Sequence, residues 1–305
     1  SSPNTENLRS FHNLKELEEL LYTLNEEKQK INSKINIAVK IAPDLSFQDL
    51  DHVGNILLKL GDHDGAVPYY RQARQINPNS ENASNALIRL LMIVAGHELS
   101  RTNYTAAISY YREILVLNPH LVDCHNNMGN ALLKLGQPKA AIEYFNNTIK
   151  IKADFLQGFY NLGIAYENIG DTTEASTYFK KAIDCDFKHA DSHSSLGRIL
   201  VGEHKYDKAL LCFDTAIKFG DESFATFSNK GQVLYYLRDY KAAIDSLHRA
   251  LTVDNRYSDT YLKLANCYWQ EGDIKATLNN LKSALTIEPS SPLIWDNVYL
   301  VFQAI

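Results

Sequence analysis

A period of 34 residues organises most of the chain and restricts it to a repetitive architecture. Small residues recur at this interval, at Ala95, Gly129, Gly163, Gly197, Gly231 and Ala265. Twelve residues after each comes a second small residue or a threonine, and four residues later a large side chain: Tyr111, Phe145, Phe179, Phe213, Leu247 and Leu281. Gly54, Ala66 and Tyr70 share this spacing. A repeat of this length is typical of a solenoid, in which each repeat packs against its neighbours.

Each repeat predicts a pair of short antiparallel helices. Between residues 156 and 189, Gly163 and Tyr166 lie at helical spacing in a first segment, and Ala175 and Phe179 do so in a second. Small residues let two helix backbones approach closely, and the ring fills the space beside them. The predicted turns within repeats are Gly136-Gln137-Pro138, Gly170-Asp171 and Gly272-Asp273, and the prolines that end second helices are Pro78, Pro119 and Pro289.

This pattern resembles the tetratricopeptide repeat family over residues 47–305. The resemblance implies an all-α fold, a right-handed superhelical solenoid of antiparallel helical hairpins. The seven repeats are expected at 47–80, 88–121, 122–155, 156–189, 190–223, 224–257 and 258–291. Residues 292–305 match the first helix of an eighth repeat or a capping helix. Their apolar composition favours a repeat of a longer array, because a solenoid end needs a polar outer face.

Two segments depart from the regular period. Residues 81–87 are additional to the repeats, and the helical spacing of Leu91 and Val94 predicts a lengthened first helix near 82–99. Such a helix either contacts a neighbouring molecule or is a local variant without a role. Residues 1–46 carry an apolar helical stripe that predicts a degenerate leading repeat, with a coiled coil as the alternative.

Composition narrows the class of partner. The net charge of −5 and pI near 6.1 argue against nucleic acid, because phosphate binding needs a basic surface. No apolar run approaches the roughly 20 residues of a membrane-spanning helix, so no membrane insertion is expected. The four cysteines form no CxxC pair, which favours buried free thiols in a reducing compartment. A cytoplasmic location is therefore expected, with the nucleus as an alternative.

The chain carries one candidate metal-ligand set, Cys185, His189 and His193, spaced four apart. The repeat register places a helix break between the two histidines. His193 also occupies a slot that is aromatic in other repeats, so packing is the favoured interpretation. Since no nucleotide-binding loop, nucleophile motif or zinc signature is present, we predict no metal, no cofactor and no enzymatic activity.

The resemblance also implies which positions face the concave groove of the solenoid: the second, fifth, sixth, ninth, twelfth and thirteenth of each repeat. Asparagine recurs at the sixth, and an amide can both donate to and accept from a peptide backbone. The neighbouring tyrosines and tryptophan add apolar contact area. The candidate ligand-binding residues are Asn126, Asn127, Asn130, Asn161, Tyr160, Asn229, Gln232, Arg198, Asn266, Trp269 and Asn297.

The predicted function is a protein–protein interaction scaffold that binds an extended peptide or flexible protein segment in this groove. A carboxylate clamp for chaperone tails is disfavoured: Asn130 and Asn161 match its asparagines, but Asp191 stands where a cation is needed. The asparagine ladder resembles the repeat arm of O-linked N-acetylglucosamine transferase. The alternative is therefore a substrate-recruiting arm of a glycosyltransferase whose catalytic domain lies outside this chain. A second alternative is a structural subunit of a large assembly.

Overall fold

The computed structural model describes residues 46–304. The predictions for residues 1–46 therefore fall outside the described residues, apart from Ser46, which caps the first described helix. Within residues 46–304 every regular element is an α-helix, so the predicted all-α class is confirmed. No helix in this range combines the length and apolar character that crossing a bilayer requires. The chain divides into two compact units, residues 1–151 and 152–305, called unit 1 and unit 2.

Unit 1 contains three helical hairpins within its described residues, and each helix packs against the next. The helices are α1 (Phe47–Lys59), α2 (His63–Ile76), α3 (Glu81–Ser100), α4 (Tyr104–Leu117), α5 (Val122–Lys134) and α6 (Pro138–Ile151). The odd-numbered member opens each hairpin and is called its first helix; the even-numbered member is its second helix.

Unit 2 contains four hairpins and one further first helix in its described residues, again with each helix packed on the next. The helices are α7 (Leu156–Asn168), α8 (Thr172–Cys185), α9 (Ala190–Gly202), α10 (Tyr206–Lys218), α11 (Phe224–Tyr236), α12 (Tyr240–Val253), α13 (Ser258–Gln270), α14 (Ile274–Ile287) and α15 (Pro292–Ala304).

Helix α3 is the long member, with 20 residues. It covers the segment near 82–99 over which the sequence predicts a lengthened helix. Its first turns are not free in solvent, because Ala83 and Leu87 are both buried. The additional length therefore packs within unit 1 and contributes to the core of that unit.

The two helices of each hairpin approach closely at the small residue. A Cβ atom added to Gly163 would lie 2.5 Å from Cε1 of Phe179, and one added to Gly231 would lie 2.6 Å from Cγ of Leu247. Both distances are far below van der Waals contact, so the packing of these two hairpins leaves no room for a side chain at Gly163 or Gly231. Phe179 is fully buried and belongs to a core that continues through Leu196 and Phe213 into the next hairpin.

Several second helices start at a capped turn. The side chains of Asp171, Asp239 and Asp273 each accept a hydrogen bond from a backbone N–H in the first turn of the helix that follows. Such a cap contributes about 1 kcal/mol to stability. It satisfies an N–H that has no partner within the helix.

The residue before the cap has a left-handed backbone in every turn within a hairpin. Glycine holds this position in four hairpins, at Gly61, Gly136, Gly170 and Gly272, which confirms the three predicted glycine turns. Three hairpins use Thr102, His204 and Arg238 instead, with φ of 61°, 57° and 65°. A residue with a Cβ is strained in this conformation by about 1–2 kcal/mol.

We expect Gly163→Ala to lower the free energy of unfolding by about 1–3 kcal/mol, because the added methyl overlaps the Phe179 ring. The double variant Gly163→Ala/Phe179→Leu should be less destabilised than the sum of its single variants, since Ala265 opposite Leu281 is a natural version of that pair. Urea denaturation followed by circular dichroism measures this double-mutant cycle. Strict additivity would contradict the close approach.

We expect Arg238→Gly to raise the free energy of unfolding by up to about 1 kcal/mol, because glycine relieves the left-handed strain at an exposed turn. The matched reverse change, Gly170→Ala, should lower it by a similar amount. Denaturation midpoints of both variants test this pair. A loss of stability in Arg238→Gly would show that the turn is not strained.

Candidate functional site

The predicted ligand-binding residues of unit 2 lie on its first helices, α7, α9, α11, α13 and α15. Helix α9 contacts α11, and α11 contacts α13, so equivalent positions of successive first helices are neighbours. We call the face made by the side chains at the second, fifth, sixth, ninth, twelfth and thirteenth positions of these helices the first-helix surface of unit 2. Two adjoining pockets open along it.

The first, the tyrosine pocket, lies among α11, α12 and α13 and has a volume of about 190 Å³. Its lining is formed by Gly231, Gln232, Tyr235, Tyr236, Leu247, Lys263, Asn266 and Cys267. The ring of Tyr236 stacks on Tyr206 with centroids 4.8 Å apart, and Nε2 of Gln232 donates to the Tyr236 hydroxyl at 3.2 Å. These contacts fix the position of the Tyr236 side chain at the edge of the pocket.

The second, the tryptophan pocket, lies among α13, α14 and α15 and is larger, about 380 Å³. Its lining is formed by Ala265, Asn266, Trp269, Thr277, Leu281, Asn297, Leu300 and Val301. Asn266 belongs to both pockets, so its amide stands on the border between them. The amide is half-buried, and it makes no hydrogen bond within residues 46–304.

The cations of this surface are paired with carboxylates. Nη2 of Arg198 lies 2.9 Å from Oε2 of Glu167, and Nζ of Lys263 lies 2.7 Å from Oδ2 of Asp259. Lys263 also approaches Oγ of Ser228 at 3.4 Å. Exposed ion pairs contribute little stability, but each one removes a positive charge that an anionic ligand would need.

The sixth-position asparagines have unequal surroundings. Asn161 is only 6% exposed, whereas Asn127 and Asn229 are half-buried. Nδ2 of Asn297 donates to the carbonyl of Leu293 at 2.8 Å, which engages one side of its amide. Recurrence in the sequence therefore does not make these four amides equivalent as ligand contacts.

Tyr160 lies apart from the two pockets, on α7. Its ring packs edge-on against His189, with centroids 5.1 Å apart, and against Phe179 at 5.8 Å. Burial raises the pKa of its hydroxyl, and the negative charge of Asp191 adds to that shift. Tyr160 thus remains a neutral hydrogen-bonding group at physiological pH.

The three predicted residues of unit 1 lie on α5. Asn126 is buried, with 8% of its surface exposed, while Asn127 and Asn130 are half-buried. The burial of Asn126 leaves little of its amide for a ligand. Asn127 and Asn130 are the more accessible pair.

The structure therefore brings Gln232, Asn266, Trp269 and Asn297 to two adjoining pockets, and it places Asn229 and Arg198 on the same first-helix surface. Sequence reasoning missed Leu300, which is exposed at the wall of the tryptophan pocket. Its ninth position in the repeat register was the available signal.

The histidines of the candidate metal set have structural contacts. His189 caps α9: its Nδ1 accepts from the backbone N–H of Ser192 at 3.3 Å and lies 2.7 Å from the Ser192 hydroxyl. Nε2 of His193 lies 2.8 Å from the carbonyl oxygen of Phe187. The described part of the chain contains no group of three or more histidine, cysteine or acidic residues that could hold a metal ion.

The thiols differ in exposure, so the prediction of buried cysteines is wrong for two of the four. Cys124 and Cys267 are buried, Cys212 is half-buried and Cys185 is exposed. Cys185 is the last residue of the second helix α8. Burial raises the pKa of Cys124 and of Cys267 to about 12.

Comparisons with known proteins agree with this architecture. Tetratricopeptide repeat family models match residues 48–80, 122–155, 156–189 and 228–286, which together make up more than half of the chain. A short stretch is also 44% identical over 62 residues to a dihydroorotate dehydrogenase (quinone) of Arthrobacter sp. (strain FB24). That match covers 20% of this chain and 17% of the enzyme. The chain thus spans less than a fifth of that curated relative.

Solved structures share the fold. PilF of Pseudomonas aeruginosa has a TM-score of 0.63 at 17% identity, covering 72% of this chain and 98% of its own. The Cut9–Hcn1 structure of the APC/C has a TM-score of 0.59 at 16% identity, covering 83% and 55%. YrrB, a TPR protein with an unusual peptide-binding site, has a TM-score of 0.55 at 18% identity, covering 61% and 96%. At these identities the likeness concerns the fold alone.

We expect iodoacetamide at pH 8 to label Cys185 first and Cys212 more slowly in the folded protein. Cys124 and Cys267 should be labelled only after denaturation, because a raised pKa lowers the thiolate fraction and burial blocks the reagent. Mass spectrometry of tryptic peptides reads out each site. Rapid native labelling of Cys267 would contradict the packing around the tyrosine pocket.

Proposed function

Because the chain belongs to the tetratricopeptide repeat family, we propose that it is a non-catalytic scaffold that holds an extended or flexible protein segment on the first-helix surface of unit 2. The fold itself is consistent with a protein–protein interaction scaffold. The observation that carries the peptide proposal is the half-buried amide of Asn266 between two pockets, without a hydrogen bond to any other described residue.

An amide in this position suits a peptide backbone. Asn266 can donate to a carbonyl and accept from an N–H of the same peptide unit. A half-buried polar group gains from such a partner, because its access to water is already restricted. Asn229 on α11 is also half-buried and without a hydrogen bond among the described residues. Two amides on adjacent first helices can therefore hold successive parts of one segment.

The aromatic side chains add contact area next to these amides. Tyr235 and Tyr236 line the tyrosine pocket, and Trp269 lines the tryptophan pocket. Rings of this kind bury a large area at a small entropic cost, since each has only two side-chain torsions. They support binding that depends on backbone hydrogen bonds and a few side-chain contacts.

The charge pattern favours an internal segment over a chain terminus. Binding a C-terminal carboxylate needs free cations, but Arg198 is paired with Glu167 and Lys263 with Asp259. The carboxylates Asp191 and Asp296 are exposed, and no ion pair of the described residues involves them. A carboxylate ligand would be repelled at both of these places.

The arrangement also weighs against a ladder of equivalent asparagines, the feature shared with the transferase arm. Asn161 is buried and the Asn297 amide is engaged by its own helix. The proposed contacts are therefore concentrated at Asn229 and Asn266 rather than spread over every repeat. This favours a scaffold with a local binding site.

We expect Asn229→Ala/Asn266→Ala to weaken peptide binding about 10- to 30-fold, because it removes hydrogen bonds that contribute about 1 kcal/mol each. The full chain is used to select peptides from a random 16-residue display library. Fluorescence anisotropy then gives the affinity of the selected peptides for each variant.

The matched control is Asn255→Ala/Asn279→Ala. It removes two exposed asparagines, one in the loop after α12 and one on the second helix α14. Its affinity should stay within twofold of the original chain, and both variants should have unchanged circular dichroism melts. Equal affinities of the two double variants would overturn the proposed function.

A further inference from the structure

We infer that the segment bound on this surface inserts a large apolar side chain into the tryptophan pocket and carries a lysine or arginine beside it. This inference rests on the proposed function and specifies the chemistry of its partner. Three features of the pocket lead to it: an apolar floor with an exposed leucine at its wall, two amides at its rim, and, next to that leucine, an exposed carboxylate that forms no ion pair with any described residue.

The floor is apolar and closed. Ala265, Leu281 and Val301 are all buried and belong to one core cluster, and Trp269 packs against it. Leu300 lines the same pocket but is 59% exposed. A large apolar side chain that enters the pocket would cover Leu300 and contact Trp269 at once, which is the burial that drives binding in pockets of this kind.

The rim provides hydrogen bonds for the backbone on both sides of that anchor. Asn266 offers a donor and an acceptor. Asn297 donates to the carbonyl of Leu293, so its own Oδ1 is left to accept an N–H. An apolar pocket flanked by two amides on neighbouring first helices fits an extended chain with one side chain directed inward.

The charge next to the pocket is negative. Asp296 precedes Leu300 by one helical turn, so the two side chains share a face of α15. The carboxylate is exposed and takes part in no ion pair within residues 46–304. The nearby cation of this surface, Lys263, is 2.7 Å from Asp259 and does not compensate it. A basic residue next to the apolar anchor would complement Asp296.

The test uses the full chain and a random 12-residue peptide display library. We expect enriched peptides to share one large apolar position with lysine or arginine within two residues of it. Leu300→Arg should weaken these peptides at least tenfold, because it removes an apolar wall and places a cation near the basic residue.

Leu211→Arg is the matched control. Leu211 lies on the second helix α10, outside the first-helix surface, and is 68% exposed, compared with 59% for Leu300. Its affinity should stay within twofold. Because both leucines are exposed, neither change disturbs the core, and melting curves of the two variants check this.

A charge reversal tests the second half of the inference. Asp296→Lys should weaken the basic peptides at least fivefold, and should have no effect on the same peptides with their basic residue changed to alanine. The control for net charge is Glu288→Lys. It reverses the charge of an exposed glutamate at the end of α14, which does not line the pocket.

The outcomes separate this inference from the proposed function. Peptides that respond to Asn229→Ala/Asn266→Ala but bind Leu300→Arg and Leu211→Arg equally well would overturn the inference and leave the scaffold function standing. A library that yields no binders would overturn both. Light scattering tests whether the chain self-associates. Self-association that is abolished by Leu300→Arg would also overturn the inference, because the pocket would then hold a second copy of the chain.

Discussion

The close approach of two helices within each hairpin is the contact on which the rest of the structure depends. Gly163 lies against Phe179 so tightly that a single added carbon would overlap the ring. The same close approach recurs at Gly54, Gly129, Gly197 and Gly231, with leucine in place of the ring opposite Gly231. Because the ring is fully buried and also part of a core shared with the next hairpin, this contact both closes a hairpin and sets the surface on which its neighbour stacks.

Repetition of this contact positions the candidate site. First helices that stack in register place equivalent side chains next to one another, so polar positions form a continuous surface within unit 2. Apolar side chains reach that surface where the exposed Leu300 borders the buried Leu281. The tryptophan pocket lies at this place and adjoins the tyrosine pocket. Their shared residue, Asn266, is thereby held between an aromatic pocket and an apolar one.

Much of this arrangement was predictable because it depends on short-range chemistry. The glycine turns at Gly136 and Gly170, and the helix start at Pro138, follow from backbone preferences that act within a few residues. The pairing of Lys263 with Asp259 was also accessible, as an i, i+4 pair on one helix. Burial of Asn126 was not, since it depends on how neighbouring helices cover that side chain.

The sequence by itself determined the class of fold and the first-helix positions that carry amides. Those properties follow from periodicity and from small residues spaced to meet large ones. Only the tertiary structure decided that Asn266 is half-buried and makes no hydrogen bond to another described residue, that Asn161 is covered, and that Leu300 borders a pocket. The exposure of a side chain is set by the side chains that adjacent helices pack against it. The repeat pattern does not reveal this exposure, because it is the same whether those neighbouring side chains are large or small.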